Sequence, residues 1–457
     1  MASTRKPRSS DLSAEAAGVL APLALGGRAL CVGLSGGVDS VVLLKLLLSL
    51  RRRFKFNVSA MHVNHGLSSN ASEWETFCSV LCRRWKVPLS IERVRVRNSG
   101  SGIEAAARVQ RYRAFSTSNA DALLLAHHLD DQAETVLLQL LRGAGVKGIA
   151  AMPAVAKRPP HTLLRPLLGV PRAKILAYAK RHRLDWIEDE SNEETALKRN
   201  FLRHNVLPVI EQAFPAYRKT LARSGAHCAE AAVLLDDIGA TDLGIAGSSD
   251  ANPSSAGLSI DCSKLRRLSP ARAINAMRVF FSSNGLTAPD TERAREMLRQ
   301  LLHARRDAQV RFSHDGAELR RFRDSAWIVR PRKAASIPPL FWAGETSLEL
   351  PGENGTLDFR RRGRGVGLSL ARLQSAKVTV KIRAGGERIR PDVLRPRRSL
   401  KNLLQESALP PWERERLPLL FCGNVLAWVP EIGADASFLA KPGEPTLFVS
   451  WRPLHYS

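Results

Sequence analysis

The sequence predicts an α/β protein in which a doubly wound parallel sheet forms the N-terminal domain. A mainly helical middle domain and a small α+β C-terminal domain are predicted to follow it. Three observations lead to this fold class: apolar runs alternate with amphipathic segments up to about Gly143, polar motifs follow the predicted strands, and short strands and turns prevail near the C-terminus. The predicted domain boundaries are 1–212, 213–337 and 338–457.

The elements of the first domain follow from hydrophobic patterning. Short apolar or alternating runs predict buried strands, and longer periodic runs predict helices packed on a sheet. The predicted strands are 29–34, 56–64, 89–96 and 122–126, and the predicted helices are 41–48, 73–85, 103–118 and 130–142.

A turn rich in glycine and serine joins the first predicted strand to the first helix. It reads Ser35-Gly36-Gly37-Val38-Asp39-Ser40. Free backbone N–H groups and the helix dipole favour an anion at such a turn, and glycine lets the backbone approach phosphate oxygens. The absence of a lysine before Ser40 excludes the Walker A pattern, and the spacing differs from the dinucleotide fingerprint. The loop is therefore predicted to bind the phosphates of a nucleotide.

A second motif begins where the fourth predicted strand ends and enters the next helix. Its functional candidates are His127, His128, Asp130, Asp131 and Glu134. His127, Asp131 and Glu134 are spaced i, i+4 and i+7, which would place them on one helical face. The carboxylates suit a divalent cation that bridges phosphates, whereas either aspartate alone could simply complement the helix dipole.

Three weaker motifs add candidates. His62 and Asn64 end the second predicted strand and could contact a nucleotide, with a buried, hydrogen-bonded His62 as an equal alternative. Arg108 and Arg111 lie one helical turn apart and suit phosphate, or form a solvated face. An acidic turn precedes a helix rich in Arg and Asn, and the candidates there are Asn192, Arg199 and Arg203.

The charge of the chain points to a polyanionic partner. The formal net charge is +26 and the pI is near 10.7, so nucleic acid is the expected partner, unless the host's proteins are generally rich in arginine. A strongly basic stretch near the C-terminus contains the candidate RNA contacts Arg388, Arg390, Arg397, Arg398 and Lys401.

Cysteine usage and hydropathy indicate a cytoplasmic protein. The six cysteines are scattered and form no Cys-x-x-Cys pair, which disfavours a zinc ribbon or a redox motif. The apolar stretch near the N-terminus runs directly into the phosphate loop, which argues against a cleaved signal peptide. No uninterrupted apolar run is long enough to span a bilayer.

The order of these motifs resembles the bacterial tRNA(Ile)-lysidine synthetase family of the PP-loop ATP pyrophosphatases. The resemblance rests on Ser-Gly-Gly-x-Asp-Ser, His-x-Asn-His-Gly-Leu, Ala-Arg-x-x-Arg-Tyr, His-x-Asp-Asp-Gln-x-Glu-Thr, Arg-Pro-Leu-Leu and Asp-x-Ser-Asn…Arg-Asn-x-x-Arg. A C-terminal run, Gly385 to Pro391, followed by Leu400 to Glu406 and Pro411-Trp412, resembles the last domain of that family.

The resemblance implies a ligase that joins free L-lysine to C2 of the wobble cytidine in the CAU anticodon of tRNA(Ile). ATP would adenylate the C2 oxygen, the lysine amine would displace AMP, and codon reading would change from AUG to AUA. The implied catalytic residues are Asp39, Arg108, His128 and Asp131, and Asp39 and Asp131 would hold Mg²⁺. His127 or His128 would orient phosphate or accept a proton. Whether the protein forms a homodimer is left open by the sequence.

Two alternative functions are weighed against this one. A PP-loop tRNA thiolase would need catalytic or cluster-binding cysteines, yet Cys78 and Cys82 lie in an apolar helical pattern. A non-catalytic RNA-binding protein would need a decayed ATP site, yet both the Ser-Gly-Gly and the His-Asp-Asp strings are intact. Conversion of ATP to AMP would separate an enzyme from a binder.

Overall fold

The structure is a computed structural model, and it describes residues 12–68, 70–96, 103–188, 198–244, 259–305, 308–331, 338–352, 354–363, 367–407 and 409–453. The chain folds into two compact units, Met1–Leu234 and Leu235–Ser457. Candidate residue Asn192 lies outside the described residues.

Helices in the first unit precede, separate and follow the strands of one sheet. Their bounds are α1 (Leu12–Leu20), α2 (Val38–Phe54), α3 (Ala71–Trp85), α4 (Ile103–Phe115), α5 (Leu129–Leu141), α6 (Val146–Ile149), α7 (Arg172–Arg181), α8 (Lys198–Phe201), α9 (Leu207–Ala213) and α10 (Tyr217–Leu243), the last of which continues into the second unit. A 3-10 turn (Ala21–Leu23) follows α1, and a π-helical turn (Leu202–Val206) joins α8 to α9.

The sheet of the first unit is mainly parallel, which confirms the predicted fold class. Its strands are β1 (Ala29–Gly33), β2 (Asn57–Asn64), β3 (Leu89–Arg93), β4 (Ala122–Leu124), β5 (Val155–Arg158) and β6 (His161–Leu164), in the order β3-β2-β1-β4-β6-β5. Only β5, at the edge, runs antiparallel to its neighbour. The β5–β6 hairpin was not among the predicted elements.

Both faces of this sheet are buried, which explains the apolar runs of its strands. In β1, Leu30 and Val32 face the larger core, formed with α1, α2 and α7, while Cys31 faces a smaller core that includes Phe115 of α4. In β4 the alternation is the same, since Leu123 joins the smaller core. Alternate residues of a strand point to opposite faces, so a strand covered on both sides has no polar position to spare.

The strand order reverses between β1 and β4. The chain passes from β1 to β2 and β3 on one side and then returns to place β4 on the other side of β1. Ligands of open α/β sheets bind in the crevice at the carboxyl ends of the strands where the order reverses. The loop after β1 and the motif after β4 therefore meet at this point.

The second unit begins with a helical layer on an antiparallel sheet. Its helices are α11 (Cys262–Arg267), α12 (Pro270–Ser283) and α13 (Thr291–His303), and its strands are β7 (Ser259–Asp261), β8 (Arg311–His314), β9 (Ala317–Phe322) and β10 (Ser325–Val329), in the order β7-β10-β9-β8. Met277, Phe281 and Leu319 lie in the core between the layers. The periodicity of this region predicts helices around 270–284 and 290–306, which match α12 and α13, but it did not predict the sheet.

The remainder consists of short strands and turns, as the sequence predicts. The elements are β11 (Leu340–Phe341), β12 (Ser347–Glu349), β13 (Thr356–Arg362), β14 (Leu368–Ser369), α14 (Leu370–Leu373), β15 (Val378–Ile382), β16 (Arg388–Ile389), β17 (Arg398–Ser399), α15 (Leu400–Glu406), α16 (Pro411–Arg414), β18 (Pro418–Cys422), β19 (Val425–Val429), β20 (Gly433–Ala434) and β21 (Thr446–Arg452). They form sheets in the orders β11-β15-β18-β19-β20, β12-β13-β21-β14 and β16-β17.

Two details refine the expected organisation. The segment 239–257, rich in Gly, Ala and Ser, is predicted by its composition to be a loop or linker, but α10 extends to Leu243, and residues 245–257 lie outside the described residues. Trp412 packs edge-on against Phe322 and Trp327, with ring centroids 6.3 and 6.4 Å away, so its ring contacts the sheet that contains β9 and β10.

None of the helices within the described residues is long and apolar enough to cross a membrane.

Leu44 of α2 tests the importance of the larger core. Its side chain is fully buried, so Leu44→Ala is expected to lower the local free energy of unfolding by about 2–5 kcal/mol. Leu141→Ala removes the same atoms from a side chain that is 67% exposed and should change it by less than about 1 kcal/mol. Native-state hydrogen exchange of the β1 and β4 amides measures both, and equal effects would contradict the assigned core.

Candidate functional site

The glycine-rich loop after β1 is held in a conformation that only glycine adopts readily. Gly36 has φ +92°, and a Cβ atom there would lie 2.9 Å from Cδ1 of Ile187. The Ile187 backbone N–H donates to the Gly36 carbonyl at 3.0 Å, which fixes the loop from the segment after α7. The loop therefore has a defined shape before any ligand binds.

The two serines shape the loop from inside. Ser40 Oγ donates to the Gly37 carbonyl at 2.9 Å, the Gly37 N–H donates to Ser35 Oγ at 3.3 Å, and the two hydroxyls lie 3.1 Å apart. Helix α2 begins at Val38 with Gly37 as its N-cap. The N–H groups of a first helical turn have no acceptor within the helix, so they remain available to an anion.

A capping box fixes the start of α5. The Asp131 N–H donates to Nδ1 of His128 at 3.3 Å, and the His128 N–H donates to Oδ2 of Asp131 at 3.0 Å. The prediction that His127 shares a helical face with Asp131 and Glu134 is wrong, because the helix begins at Leu129 and His127 precedes the cap. The reciprocal hydrogen bonds between His128 and Asp131 set that boundary.

Three carboxylates surround the His128 imidazole, which is only 3% exposed. Its Nε2 lies 3.7 Å from Oδ2 of Asp39 and 3.4 Å from Oδ2 of Asp131, and its Nδ1 lies 3.8 Å from Asp130. Because Nδ1 accepts the Asp131 N–H, the neutral ring carries its proton on Nε2, facing Asp39 and Asp131. The loop after β1 and the motif after β4 thus converge, as the strand order requires.

Asp39 is the carboxylate of this group that can still accept a hydrogen bond or bind a cation. Its Oδ1 is buried and has no hydrogen-bond partner among the described residues, while its Oδ2 lies 3.7 Å from Nε2 of His128 and 4.0 Å from Nε of Arg172. Burial raises the pKa of Asp39, although His128 and Arg172 oppose that shift. A buried, unsatisfied carboxylate oxygen is costly unless a cation or donor binds it.

Asp131 is more strongly compensated. Burial alone would raise its pKa, but His128, Arg199 and His127 outweigh burial and hold the pKa below its usual range. Arg199 Nη2 donates to its Oδ1 at 2.8 Å. Asp131 is therefore ionised at neutral pH and already shares its charge with protein groups.

Glu134 binds both arginines of the motif at the start of α8. Its side chain is 2% exposed and accepts from Nε of Arg199 at 2.8 Å and from Nε and Nη2 of Arg203 at 2.7 and 3.0 Å. Each guanidinium keeps N–H groups beyond those bonds. The sequence placed these three residues among the candidates, and the structure shows that Glu134 positions the other two.

Asp130 points to a different set of partners. Its Oδ2 accepts the Arg172 backbone N–H at 2.9 Å, and its Oδ1 accepts from Nε of Arg218 at 2.6 Å. Arg218 also binds Glu211 at 2.5 and 3.0 Å. Asp130 therefore fastens the start of α5 to α7 and α10, which is a structural task.

His127 is neutral in this environment. Burial, opposed by Asp131 and reinforced by Arg165, Arg199 and Arg108, lowers the pKa of His127 to about 4. Nε of the buried Arg165 donates to its Nδ1 at 3.3 Å, so the neutral ring carries its proton on Nε2. His127 is thus a hydrogen-bond donor rather than a cation.

His62 and Asn64 both have internal partners. Nδ1 of the buried His62 lies 2.9 Å from the Leu34 carbonyl, directly beneath the loop. Asn64 donates to Glu75 at 3.2 Å and accepts the Gly66 N–H at 2.8 Å. The alternative of a buried, hydrogen-bonded histidine therefore describes His62, which supports the phosphate loop from below.

Arg108 and Arg111 lie on the exposed side of α4. Arg108 packs 5.8 Å from the Tyr112 ring, and Arg111 Nε donates to Nε2 of His65 at 3.3 Å. Burial, with Arg111 and His62 nearby, lowers the pKa of His65 to about 4, and its Nδ1 is buried without a partner among the described residues. The sequence analysis did not single out His65, although it lies in the same motif as His62 and Asn64.

The residues present fit a divalent cation only in combination with a ligand. No group of three or more His, Cys, Asp or Glu side chains within the described residues could hold a metal ion. Asp39 offers an unsatisfied oxygen and Asp131 lies on the other side of His128 Nε2. Mg²⁺ commonly binds through one or two carboxylates plus substrate phosphates, and this donor set matches that pattern.

Comparison with known proteins places this site in a family. Residues 9–210 match the PP-loop domain model, residues 260–327 match the TilS substrate binding domain, and residues 378–451 match the TilS substrate C-terminal domain. Curated tRNA(Ile)-lysidine synthases are similar along most of the chain. That of Nitrosomonas europaea is 45% identical over 93% of this chain and 92% of its own length. Those of Chromobacterium violaceum and Coxiella burnetii are 41% and 38% identical, over 92% and 91% of both chains.

The chain belongs to the tRNA(Ile)-lysidine synthase family. The resemblance read from the motifs is thereby confirmed, and the alternative of a PP-loop thiolase is not favoured. Cys78 and Cys82 are buried, and burial raises the pKa of the Cys78 thiol to about 12 and that of Cys82 to about 11. Thiols of this kind are poor nucleophiles at neutral pH.

The basic residues expected to contact RNA lie in the second unit. Arg388 and Arg398 belong to the β16–β17 hairpin, Arg390 and Arg397 flank it, and Lys401 is exposed on α15. Arg398 forms an ion pair with Glu406. Arg397 lies 3.7 Å from the fully buried Asp435, which also accepts the Arg390 N–H. Arg388, Arg397 and Lys401 thus offer the most exposed charge of this set.

Sequence reasoning missed the residues that hold the site together. Arg165, Arg172 and Arg218 contact the motif after β4, and Ile187 limits the space at Gly36. Arg165 begins a motif that was noted only for the family resemblance. For Arg172, Ile187 and Arg218 no local pattern in this sequence signals the contact, because each is brought to the site from a distant element.

Gly36→Ala tests the close approach at the loop. A Cβ would meet Ile187 and the positive φ would be strained, so ATP affinity should fall about tenfold or more. Gly143→Ala has a similar φ of +69° but open space around it, and serves as the matched control. Isothermal titration with ATP measures both. Wild-type affinity in Gly36→Ala would contradict the assigned loop geometry.

The lowered pKa of His127 predicts a pH dependence of stability. The folded ring titrates near 4 and the unfolded ring near 6.5, so the unfolded chain binds the extra proton between these values. Stability from this group is complete above about pH 6.5 and is lost as the pH falls towards 4. As the pH falls, the free energy of unfolding of His127→Gln should decrease less steeply than that of wild type, by up to about 1.4 kcal/mol per pH unit.

Denaturant unfolding at half-unit steps from pH 4 to pH 7.5 checks this expectation. His182→Gln, an exposed ring on the C-terminal side of α7, is the control and should follow wild type. Parallel stability curves for wild type and His127→Gln would show that His127 is not held neutral by the fold.

Proposed function

We propose that this protein is an ATP-dependent ligase that attaches free L-lysine to C2 of the wobble cytidine in the CAU anticodon of tRNA(Ile). The observation that carries the proposal is the convergence of the phosphate loop and the Asp39–His128–Asp131 cluster at the reversal of strand order. Membership of the lysidine synthase family, over more than nine-tenths of the chain, supports the substrates.

The reaction has two steps. The C2 oxygen of cytidine attacks the α-phosphate of ATP and expels pyrophosphate, which turns a poor leaving group into AMP. The neutral ε-amine of lysine then attacks C2 and displaces AMP, leaving lysidine in the anticodon. The product reads AUA rather than AUG.

The loop from Ser35 to Ser40 would hold the pyrophosphate that is expelled. Backbone N–H groups at the start of α2 would be available to an anion there, and Gly36 carries no side chain that would crowd the loop. Because the loop is already fixed by Ile187, Ser35 and Ser40, it needs no reorganisation as charge develops. That is the property expected of a group that stabilises a transition state.

Asp39 and Asp131 would hold Mg²⁺. Bound there with ATP, the ion would neutralise charge on the phosphates during adenylation. The two carboxylates would contribute unequally to holding the ion. Asp39 has an unsatisfied oxygen, whereas Asp131 also caps α5 and binds Arg199. Their negative charge also favours the lysine ammonium near the site.

The two histidines would have different roles because their surroundings differ. His127 is neutral with its proton on Nε2, so it suits hydrogen bonding to a phosphate oxygen. His128 keeps its Nε2 proton between Asp39 and Asp131, so it orients the two carboxylates. Neither ring has a free nitrogen lone pair in these tautomers, which directs the proton of the lysine ammonium towards a carboxylate or solvent rather than a histidine.

The arginines would supply contacts to phosphate and base. Arg199 and Arg203 are held by Glu134 with N–H groups to spare, and Arg108 and Arg111 are exposed on α4. Arginine suits this purpose because its planar fork binds phosphate in a bidentate manner. In the second unit, the basic residues around the β16–β17 hairpin would contact the tRNA.

An assay with ATP, Mg²⁺, labelled lysine and tRNA(Ile) bearing a CAU anticodon tests the proposal. Label in the tRNA with equal release of AMP is expected. Asp39→Asn preserves shape while removing the charge, so turnover should fall at least about a hundredfold with the fold intact. Asp185→Asn changes an exposed carboxylate and should keep full activity.

Two results would contradict the proposal. If wild-type protein binds this tRNA but incorporates no lysine, the nucleophile is a different one. If Asp39→Asn turns over at the wild-type rate, the assigned site does not carry the chemistry, even where lysidine is formed.

A further inference from the structure

The second unit contains a cavity that lies apart from the basic hairpin. It has a volume of about 670 Å³ and opens beside β12 and β13. Most of its lining comes from the segment 342–361, which precedes the residues that match the TilS substrate C-terminal domain. A cavity of this size accommodates a nucleotide-sized ligand.

An oriented aromatic ring lines the cavity. Trp342 stacks on Phe359 with ring centroids 5.0 Å apart and planes inclined by 27°. Phe359 is buried in the core, and Trp342 Nε1 donates to the Glu345 carbonyl at 2.9 Å, so the indole is held from both its face and its edge. A ring fixed in this way loses little conformational freedom when a second planar group stacks on it.

Arginines give the cavity a positive character. Arg360 and Arg361 of β13 and Arg452 of β21 line it, and only Arg452 forms an ion pair, with Asp358 at 2.5 Å, within the part of the chain that the structure describes. The other acidic side chain of the lining, Glu345, accepts the Ala343 N–H at 2.8 Å. Arg360 and Arg361 therefore retain charge for an anionic ligand.

The opposite face of β13 and β21 is an extension with the same kinds of groups, because alternate residues of a strand point to opposite faces of the sheet. Phe448 is 43% exposed, lies opposite Arg360 in the strand register, and has the Arg362 guanidinium 5.6 Å from its ring. Aromatic rings alternating with cationic groups are typical of surfaces that bind single-stranded nucleic acid. A single small molecule would fill the cavity without using this extension.

We propose that this cavity binds an unpaired nucleotide of the tRNA substrate, with the base stacked on Trp342 and the phosphate held by Arg361, which lies on the same face of β13 as Phe359. This inference rests on the proposed function, because that function supplies the RNA. It assigns RNA binding to a segment that no family model covers, and it separates base stacking there from the phosphate contacts of the hairpin.

Equilibrium binding of the full-length chain to the complete tRNA, without ATP or lysine, provides the test. Trp342→Ala should raise the Kd between about fivefold and a hundredfold, the effect of losing one base–aromatic stack. Trp342→Phe keeps a ring and should stay within about threefold of wild type. Arg361→Gln should weaken binding and lower the salt dependence by about one phosphate contact, whereas Arg52→Gln, an exposed arginine at the end of α2, should change neither by more than about twofold.

Crosslinking identifies the ligand without relying on a variant. With tRNA carrying 4-thiouridine, the crosslinked peptides should include the segment 340–361, and the crosslinked nucleotide should be unpaired. A Kd unchanged in both Trp342→Ala and Arg361→Gln, or crosslinks that all lie elsewhere, would overturn the proposal.

The outcome is distinguishable from failure of the proposed function. Binding and crosslinking need no lysidine formation, so they report on the cavity even if no lysine is transferred. Conversely, wild-type protein that binds and crosslinks the tRNA through this cavity but transfers no lysine would contradict the proposed function and leave the cavity assignment standing.

Discussion

The reciprocal hydrogen bonds between His128 and Asp131 are the interaction on which the catalytic cluster depends. They define where α5 begins after β4, and they orient His128 Nε2 towards Asp39. A capping box normally serves only to satisfy helix N–H groups. Here the capping side chains are also the site residues, so the position of the helix and the arrangement of the site cannot vary independently.

Charge in this cluster is balanced almost pair by pair. Glu134 lies between Arg199 and Arg203, Asp131 binds Arg199, and Asp130 binds Arg218. Removing one partner of a buried pair is strongly destabilising because the other charge remains uncompensated. These pairs are therefore better understood as a frame that keeps several charges close together than as independent catalytic groups.

The sequence predicted the parallel sheet, its order of elements and the two motifs at the strand ends, because buried strands and glycine-rich turns leave strong local patterns. It predicted α5 as 130–142, one residue from the observed start at Leu129, but it wrongly assigned His127 to a face of the helix, since a histidine that precedes a helix is not distinguishable by spacing from one within it. It also missed Arg172, Ile187 and Arg218. Their roles come from tertiary packing of α7, α10 and the segment between them against α2 and α5, which no local periodicity records.

Asp39 differs from the other carboxylates in a way that fits the order of the chemistry. Its neighbours have protein cations, whereas one of its own oxygens is buried without a donor and its pKa is raised by burial. Such a group is poorly satisfied until a cation arrives, and the cations of this reaction come with the substrates, as Mg²⁺ with ATP and as the ammonium of lysine. Without substrates, the site would therefore be least stable at Asp39. Because the cations that arrive with the substrates compensate this carboxylate, its unsatisfied charge favours assembly of the reacting complex.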